Sequence, residues 1–208
     1  MQAFTQLRAV AAPIDLLNVD TDRIIPARYL RKPRETPGYA DFLFHDVRYD
    51  GERLRPDFVL NQPAFRAAKI LVAAENFGCG SSREAAVWAL DAAGFRVVIA
   101  PSLGDIFHQN CFKVGVLPVI LPAETSARLR AQLHASPGSA LDVDLSAQTV
   151  TGSDGAVHRF EVDTFRKQML LTGQDEIGLT LGYEDQIREF EARHRAAMPW
   201  LAPVVPST

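Results

Sequence analysis

Short apolar runs alternate with polar turns and with longer stretches of helical spacing, and this rhythm predicts an α/β fold. The clearest run is Lys69-Ile70-Leu71-Val72-Ala73-Ala74, which after its lysine carries no polar position on either face, as a strand buried on both sides requires. A turn containing Gly78 and Gly80 follows, from Glu75 to Arg83. Glu84 to Ala93 is then rich in Ala, Leu and Trp and stops at Gly94, as a helix with a glycine C-cap does. Phe95 to Ala100 is a second buried strand. Strand, glycine turn, helix and strand together make a βαβ unit.

On either side the pattern is weaker but legible. Val10 to Leu17 predicts a strand closing in the polar turn Asn18-Val19-Asp20-Thr21-Asp22. Arg31 to Ala40 carries Pro33, Pro37 and Gly38 among charges and predicts an exposed, mobile loop. Ile106 to Phe112 predicts a short helix, Val116 to Leu121 a strand, and Glu124 to His134 an amphipathic helix. Leu141–Leu145, Thr149–Thr151 and Arg159–Val162 predict short strands, and Thr164–Leu171 and Tyr183–His194 predict helices. The length of 208 residues suits one domain over 1–208, with a Pro-rich tail from Pro199 to Thr208 that frays or docks on a neighbour.

Composition narrows the function. A net charge of −3 with scattered Lys and Arg argues against nucleic acid, which calls for a basic face. The densest basic group is Arg28, Arg31, Lys32 and Arg34. No run approaches the roughly 20 apolar residues of a membrane helix, and Met1-Gln2-Ala3-Phe4 lacks a secretory pattern, so a cytoplasmic protein is expected. Cys79 and Cys111 are the only cysteines, expected to stay thiols there. Neither lies in a Cys-x-x-Cys pair and the five histidines stand apart, so no metal or cluster is expected to be held by this chain alone.

The chemistry concentrates in Gly78-Cys79-Gly80-Ser81-Ser82-Arg83. Two glycines permit a tight turn and close approach of a ligand to the main chain. The following helix aims free amides and its positive dipole end at that turn, which suits an anion. Arg83 adds a fork able to grip a carboxylate by two hydrogen bonds. Nearby positive charge favours a serine alkoxide, a base toward a carbon acid beside a carboxylate. The plainer alternative is that a serine simply caps the helix, for about 1 kcal/mol. A dinucleotide loop would need a third glycine where Arg83 stands, a P-loop its lysine, and a serine hydrolase Gly-x-Ser-x-Gly.

Asn76-Phe77-Gly78-Cys79-Gly80-Ser81-Ser82-Arg83-Glu84 resembles the signature of aconitase-family small subunits, above all those of 3-isopropylmalate dehydratase. Asn18 to Pro26, Asp57 to Asn61, Val98 to Ser102, Asp105 to Phe107, Leu117 to Val119 and Ile177 to Leu181 resemble further family motifs in the same order. The resemblance covers about Pro13 to Glu191. It implies a swivelling β/β/α domain like the aconitase C-terminal domain, covering a large subunit that bears the [4Fe-4S] cluster, with no cofactor on this chain. It also implies interconversion of 2- and 3-isopropylmalate by dehydration and rehydration, in leucine biosynthesis. Carried over position by position, Ser81 is the base, Ser82 and Arg83 bind the substrate carboxylate, and Asp22 and Gly80 support them. The loop after Tyr29-Leu30 matches the family's substrate-recognition loop, whose arginine is Arg31 or Arg34. Apolar residues in or beside it would meet the isopropyl group.

One departure touches the signature. Where the family usually continues with His and Pro, this chain has Ala85 and Val87. That keeps open a paralogous hydratase acting on citraconate or dimethylmaleate; an alternative of a different class is a free-standing anion-binding module whose serines only cap a helix.

Overall fold

A computed structural model describes residues 1–201, which fall into two compact units, the first Met1–Gly173 and the second beginning at Gln174. The first unit contains nine strands and six α-helices. In chain order these are β1 (Gln6–Ile14), α1 (Thr21–Ile24), α2 (His45–Arg48), β2 (Tyr49–Asp50), β3 (Arg53–Leu54), β4 (Ile70–Ala73) and α3 (Glu84–Ala92). β5 (Val97–Ala100), α4 (Asp105–Val114), β6 (Leu117–Ile120), α5 (Ala123–Ala135), β7 (Ala140–Asp144), β8 (Thr149–Thr151), β9 (Val157–Arg159) and α6 (Thr164–Thr172) follow.

Seven strands form one sheet in the order β6-β5-β4-β1-β7-β8-β9. β6, β5, β4 and β1 run parallel, and β7 to β9 continue antiparallel. The seam is β1. Its end, Ala11–Ile14, pairs with β4, and its beginning, Gln6–Val10, pairs with β7. This explains why the strand starts earlier than its apolar run suggests. The end is buried on both faces and reads as continuous apolar sequence, whereas the beginning is partly solvated and includes Gln6 and Arg8. The fold is α/β as expected, with the βαβ unit formed by β4, α3 and β5.

Side-chain alternation divides the interior into two layers. Leu71, Ala73, Val98 and Ala100 face a cluster built with α3, α4 and the long connection after β1. Ile70, Val72, Val97 and Ile99 face the other way, onto Leu129 and Leu133 of α5 and Leu170 of α6. Each fully buried Ile, Leu or Val contributes on the order of 1.5–3 kcal/mol. The central strands are therefore rigid supports for the loops at their carboxyl ends.

Some expectations shift. The polar turn after β1 winds into α1, because the Asp20 carboxylate caps it by accepting from the Arg23 amide at 2.7 Å. β9 lies two residues earlier than its apolar pattern suggests, in the register that pairs Thr151 with Val157. The loop 31–40 is exposed over much of its length but anchored at its base: Tyr39 is buried, and Tyr29 stacks on Phe42 with ring centroids 4.2 Å apart.

The second unit holds α7 (Glu176–Leu181) and α8 (Glu184–Ala197), with a 3-10 turn at Pro199–Leu201. α7 is absent from the sequence expectations, being six residues with Gly178 inside; the Asp175 carboxylate caps it at the Gly178 amide, 2.7 Å away. The rest of the expected tail, residues 202–208, lies outside the described residues.

Candidate functional site

Adjacent strands β5, β4 and β1 end side by side, so the connections that leave them meet. Ligands of parallel α/β sheets bind at such carboxyl edges. The turn after β4 is stitched to the connection after β1 by Gly78 N–H to Val19 O at 2.7 Å and Thr21 N–H to Cys79 O at 3.0 Å. On its other flank the Phe77 amide donates to Ser102 O at 3.2 Å, and the Gly104 amide to Phe77 O at 2.9 Å.

Two glycines are demanded by this crowding. Gly78 has φ +74°, and a Cβ there would come within 2.2 Å of Phe107 Cγ. Gly104, before α4, leaves no room either, since its Cβ would lie 2.3 Å from the Gly78 carbonyl oxygen. Gly80, at φ +87°, is required by backbone conformation rather than by space. The turn is thus pressed against the first residues of α4. Between them opens a cleft of about 250 Å³, lined by Gly80, Ser81, Gly104, Asp105 and Ile106 among others.

Ser81 and Ser82 are exposed, and neither hydroxyl has a hydrogen-bond partner among the described residues. The N-cap of α3 is Arg83, in extended conformation, with no side-chain cap. The helix-capping alternative therefore fails here: the serines stand before the cap and offer their hydroxyls outward. The amides of Gly80, Ser81 and Ser82 also lack partners among the described residues. Arg83 pairs with Asp22 across 61 positions of sequence, with side chains 18% and 51% exposed. One guanidinium edge is held while donors remain on the other.

The basic cluster divides. Arg28 pairs with Asp46, whose carboxyl is held below the ordinary carboxylate range by that guanidinium. Arg34 donates to Asp91 in the last turn of α3 at 2.7 Å. Arg31 is exposed and has no partner among the described residues. Of the two candidate loop arginines, only Arg31 has all its donors available.

The remaining candidates are placed as follows. Ala85 and Val87 are buried, at 7% and 0% exposure, on the inner face of α3. The departure from the usual His and Pro therefore alters packing behind the helix and not the cleft. Cys79 lines the cleft, while Cys111 is fully buried and burial pushes its thiol far up. With one thiol inaccessible and protonated, this chain's residues do not fit an iron–sulfur cluster. Among the described residues no group of three or more His, Cys, Asp and Glu is arranged for a metal, and no helix is long and apolar enough to cross a membrane. A larger cleft, about 360 Å³, lies beyond β1 between Pro13–Leu16 and Val47, Phe58 and Val59. Its Asp15 is already engaged by Arg130 and His134, and no residue of the serine turn lines it.

Sequence reasoning overlooked Thr21 and Ile106. Thr21 is buried at 2% exposure, and its hydroxyl donates to the Ser81 carbonyl at 2.9 Å. Ile106 is 44% exposed at the cleft. The signals were present but passive: Thr21 lies inside the motif around Asp22, and Ile106 inside Asp105-Ile106-Phe107.

Comparison with known proteins gives the family. Residues 1–124 match the family model of the aconitase C-terminal domain, and residues 127–164 one described as LeuD_N. Residues 176–204 match the C-terminal domain of the 3-isopropylmalate dehydratase small subunit. The 3-isopropylmalate dehydratase small subunit of Paramagnetospirillum magneticum is 52% identical over 203 residues, covering 97% of this chain and 100% of the relative. The chain belongs to the 3-isopropylmalate dehydratase small-subunit family. The corresponding protein of Leptospira interrogans is also 52% identical, over 97% of this chain and 98% of its own. The crystal structure of 3-isopropylmalate dehydratase (leuD) from Methanocaldococcus jannaschii superposes with TM-score 0.63 at 26% identity, over 89% of this chain and 99% of that one. The fold expected from the family resemblance is thereby borne out. Members of this family are hydro-lyase subunits that act in a complex.

Proposed function

We propose that this chain is the small subunit that completes the active site of a 3-isopropylmalate dehydratase, interconverting 2- and 3-isopropylmalate in leucine biosynthesis. The observation that carries the proposal is the pair of uncapped serine hydroxyls beside Arg83, in a chain of this family. Ser81 acts as the base: its Oγ takes the proton from the substrate carbon next to a carboxylate. Ser82, the free amides of the turn and the unpaired edge of Arg83 hold that carboxylate. Asp22 fixes the other edge of Arg83, so that the guanidinium is oriented before substrate arrives. Arg31 is the loop arginine that reaches the second carboxylate, and Ile106 gives the isopropyl group an apolar surface at the cleft.

The partner is the large subunit, and the [4Fe-4S] cluster is placed there. Bound on that partner, the cluster supplies Lewis-acid assistance to loss of the substrate hydroxyl. The part of this chain is to bind, orient, and hold or return one proton at Ser81 Oγ. The natural compartment is the cytoplasm.

The test is anaerobic turnover, followed by ultraviolet absorbance of the unsaturated diacid, using this chain alone and then with its co-expressed large subunit. We expect isopropylmalate turnover only in the mixture, and loss of at least about a thousandfold in kcat for Ser81→Ala with substrate still bound. Full activity of Ser81→Ala would remove the base assignment. Turnover of citraconate or dimethylmaleate in place of isopropylmalate would move the protein to a paralogous reaction.

A further inference from the structure

Thr21 is one of three buried polar residues in the described chain, together with Asn110 and Ser126. All of its hydrogen-bonding groups are engaged. Its carbonyl accepts from the Ile25 amide at 2.9 Å, its amide donates to Cys79 O at 3.0 Å, and its hydroxyl donates to Ser81 O at 2.9 Å. Two of these three bonds hold the serine turn, at residues 79 and 81. No other donor reaches the Ser81 carbonyl among the described residues.

The consequence follows from peptide geometry. There are no cis peptide bonds among the described residues, and in a trans peptide the C=O and the next N–H point in opposite directions. Turning the Ser81 carbonyl inward to Thr21 therefore turns the Ser82 amide outward, and that amide has no partner among the described residues. The same bond fixes ψ of Ser81 and φ of Ser82, the dihedrals that determine where both side chains leave the backbone. Gly80, at φ +87°, makes the preceding link permissive, so the turn does not hold itself. α1, capped by Asp20, provides the rigid base for the clamp.

We propose that Thr21 is the positioning residue of the site: its buried hydroxyl clamps the Ser81–Ser82 peptide so that the base Ser81, the Ser82 hydroxyl and the Ser82 amide face the substrate together. This rests on the assignment of Ser81 as the base. Thr21 touches no substrate atom and acts through the turn. A misplacement near 1 Å at such a centre costs on the order of a hundredfold in rate.

Thr21→Val and Thr21→Ser separate the clamp from mere packing. Valine keeps the shape and removes the hydroxyl; serine keeps the hydroxyl and removes a methyl. In the complex with the large subunit, we expect Thr21→Val to lower kcat by roughly 30- to 100-fold, with a smaller change in KM. Thr21→Ser should stay within about threefold of the parent. A packing role gives the opposite order, with Thr21→Val benign and Thr21→Ser damaged, and that order overturns the proposal. Ser81→Ala is measured alongside. If it is inactive while Thr21→Val retains full activity, the clamp is wrong and the base assignment stands; if Ser81→Ala is active, both fall. Should Thr21→Val not fold, Thr21→Ser decides: a folded Thr21→Ser complex that has lost more than tenfold in kcat overturns the clamp.

Discussion

Arg34 donates to Asp91 at 2.7 Å and so ties the loop 31–40 to the last turn of α3, the helix whose N-cap is Arg83. Eight residues separate Arg83 from Asp91, about 12 Å of helix rise. Arg34 is therefore held at the far end of the helix from the serines, while Arg31 is unpaired among the described residues. We expect Arg31→Ala to raise KM at least about tenfold and Arg34→Ala to leave KM within about threefold, because a lost charge-assisted bond to substrate is worth about 1.5–3 kcal/mol. Steady-state kinetics of the complex checks this; the reverse order would exchange their roles.

Arg83 presents a fork, and Lys has none. Arg83→Lys should raise KM by about tenfold or more and lower kcat, since one point charge cannot hold both Asp22 and a carboxylate in fixed geometry. Asp22→Asn should do less, loosening Arg83 without removing it. Unchanged kinetics for Arg83→Lys would rule out contact with the substrate carboxylate.

The two turn glycines should differ in their tolerance of alanine. Gly78→Ala meets both a positive φ and the Phe107 ring, for a combined loss of about 3 kcal/mol. Gly80→Ala meets the positive φ alone, its nearest neighbour lying 3.5 Å away, for about 1–2 kcal/mol. Urea unfolding of the isolated chain measures both. Equal losses would show that the packing against Phe107 yields.

Ile106→Ala removes the exposed apolar surface from the cleft while leaving the carboxylate grip intact. The effect should be selective: KM for isopropylmalate rises about tenfold, while a diacid lacking the isopropyl group is little affected. Equal changes for both substrates would take Ile106 out of substrate recognition.

His108 packs against the Phe112 ring, and its Nδ1 lies 3.4 Å from an Arg166 guanidinium nitrogen. Burial, and secondarily Arg166, lowers its pKa from the ordinary 6.5, against a smaller opposing pull from Asp105. The unfolded chain then binds the proton more tightly than the folded one. Stability is unaffected by this group well above pH 6.5 and falls as pH drops through that value toward the lower folded pKa. Thermal unfolding between pH 8 and 5 should show a slope that His108→Gln flattens. An unchanged slope would assign the acid sensitivity elsewhere.

Local pattern in the sequence determined the β4–α3–β5 unit and the position of the serine turn. Buried strands need continuous apolar runs, tight turns need glycine, and the helix stops near Gly94; all of these act within a few residues. The motif also carried the family, and with it Ser81, Ser82, Arg83 and Asp22 as candidate site residues. What local pattern could not contain is whether those serines cap a helix, which arginine is free, and what holds the turn. These depend on partners far along the chain: Asp22 is 61 residues from Arg83, Thr21 is 60 from Ser81, and Asp91 is 57 from Arg34. Such partners meet because β1 and β4 lie in parallel register, Ala11 beside Ile70 through Ile14 beside Ala73, and deliver their connections to the same edge. A register between distant strands belongs to the packed whole, and only the tertiary structure decides it.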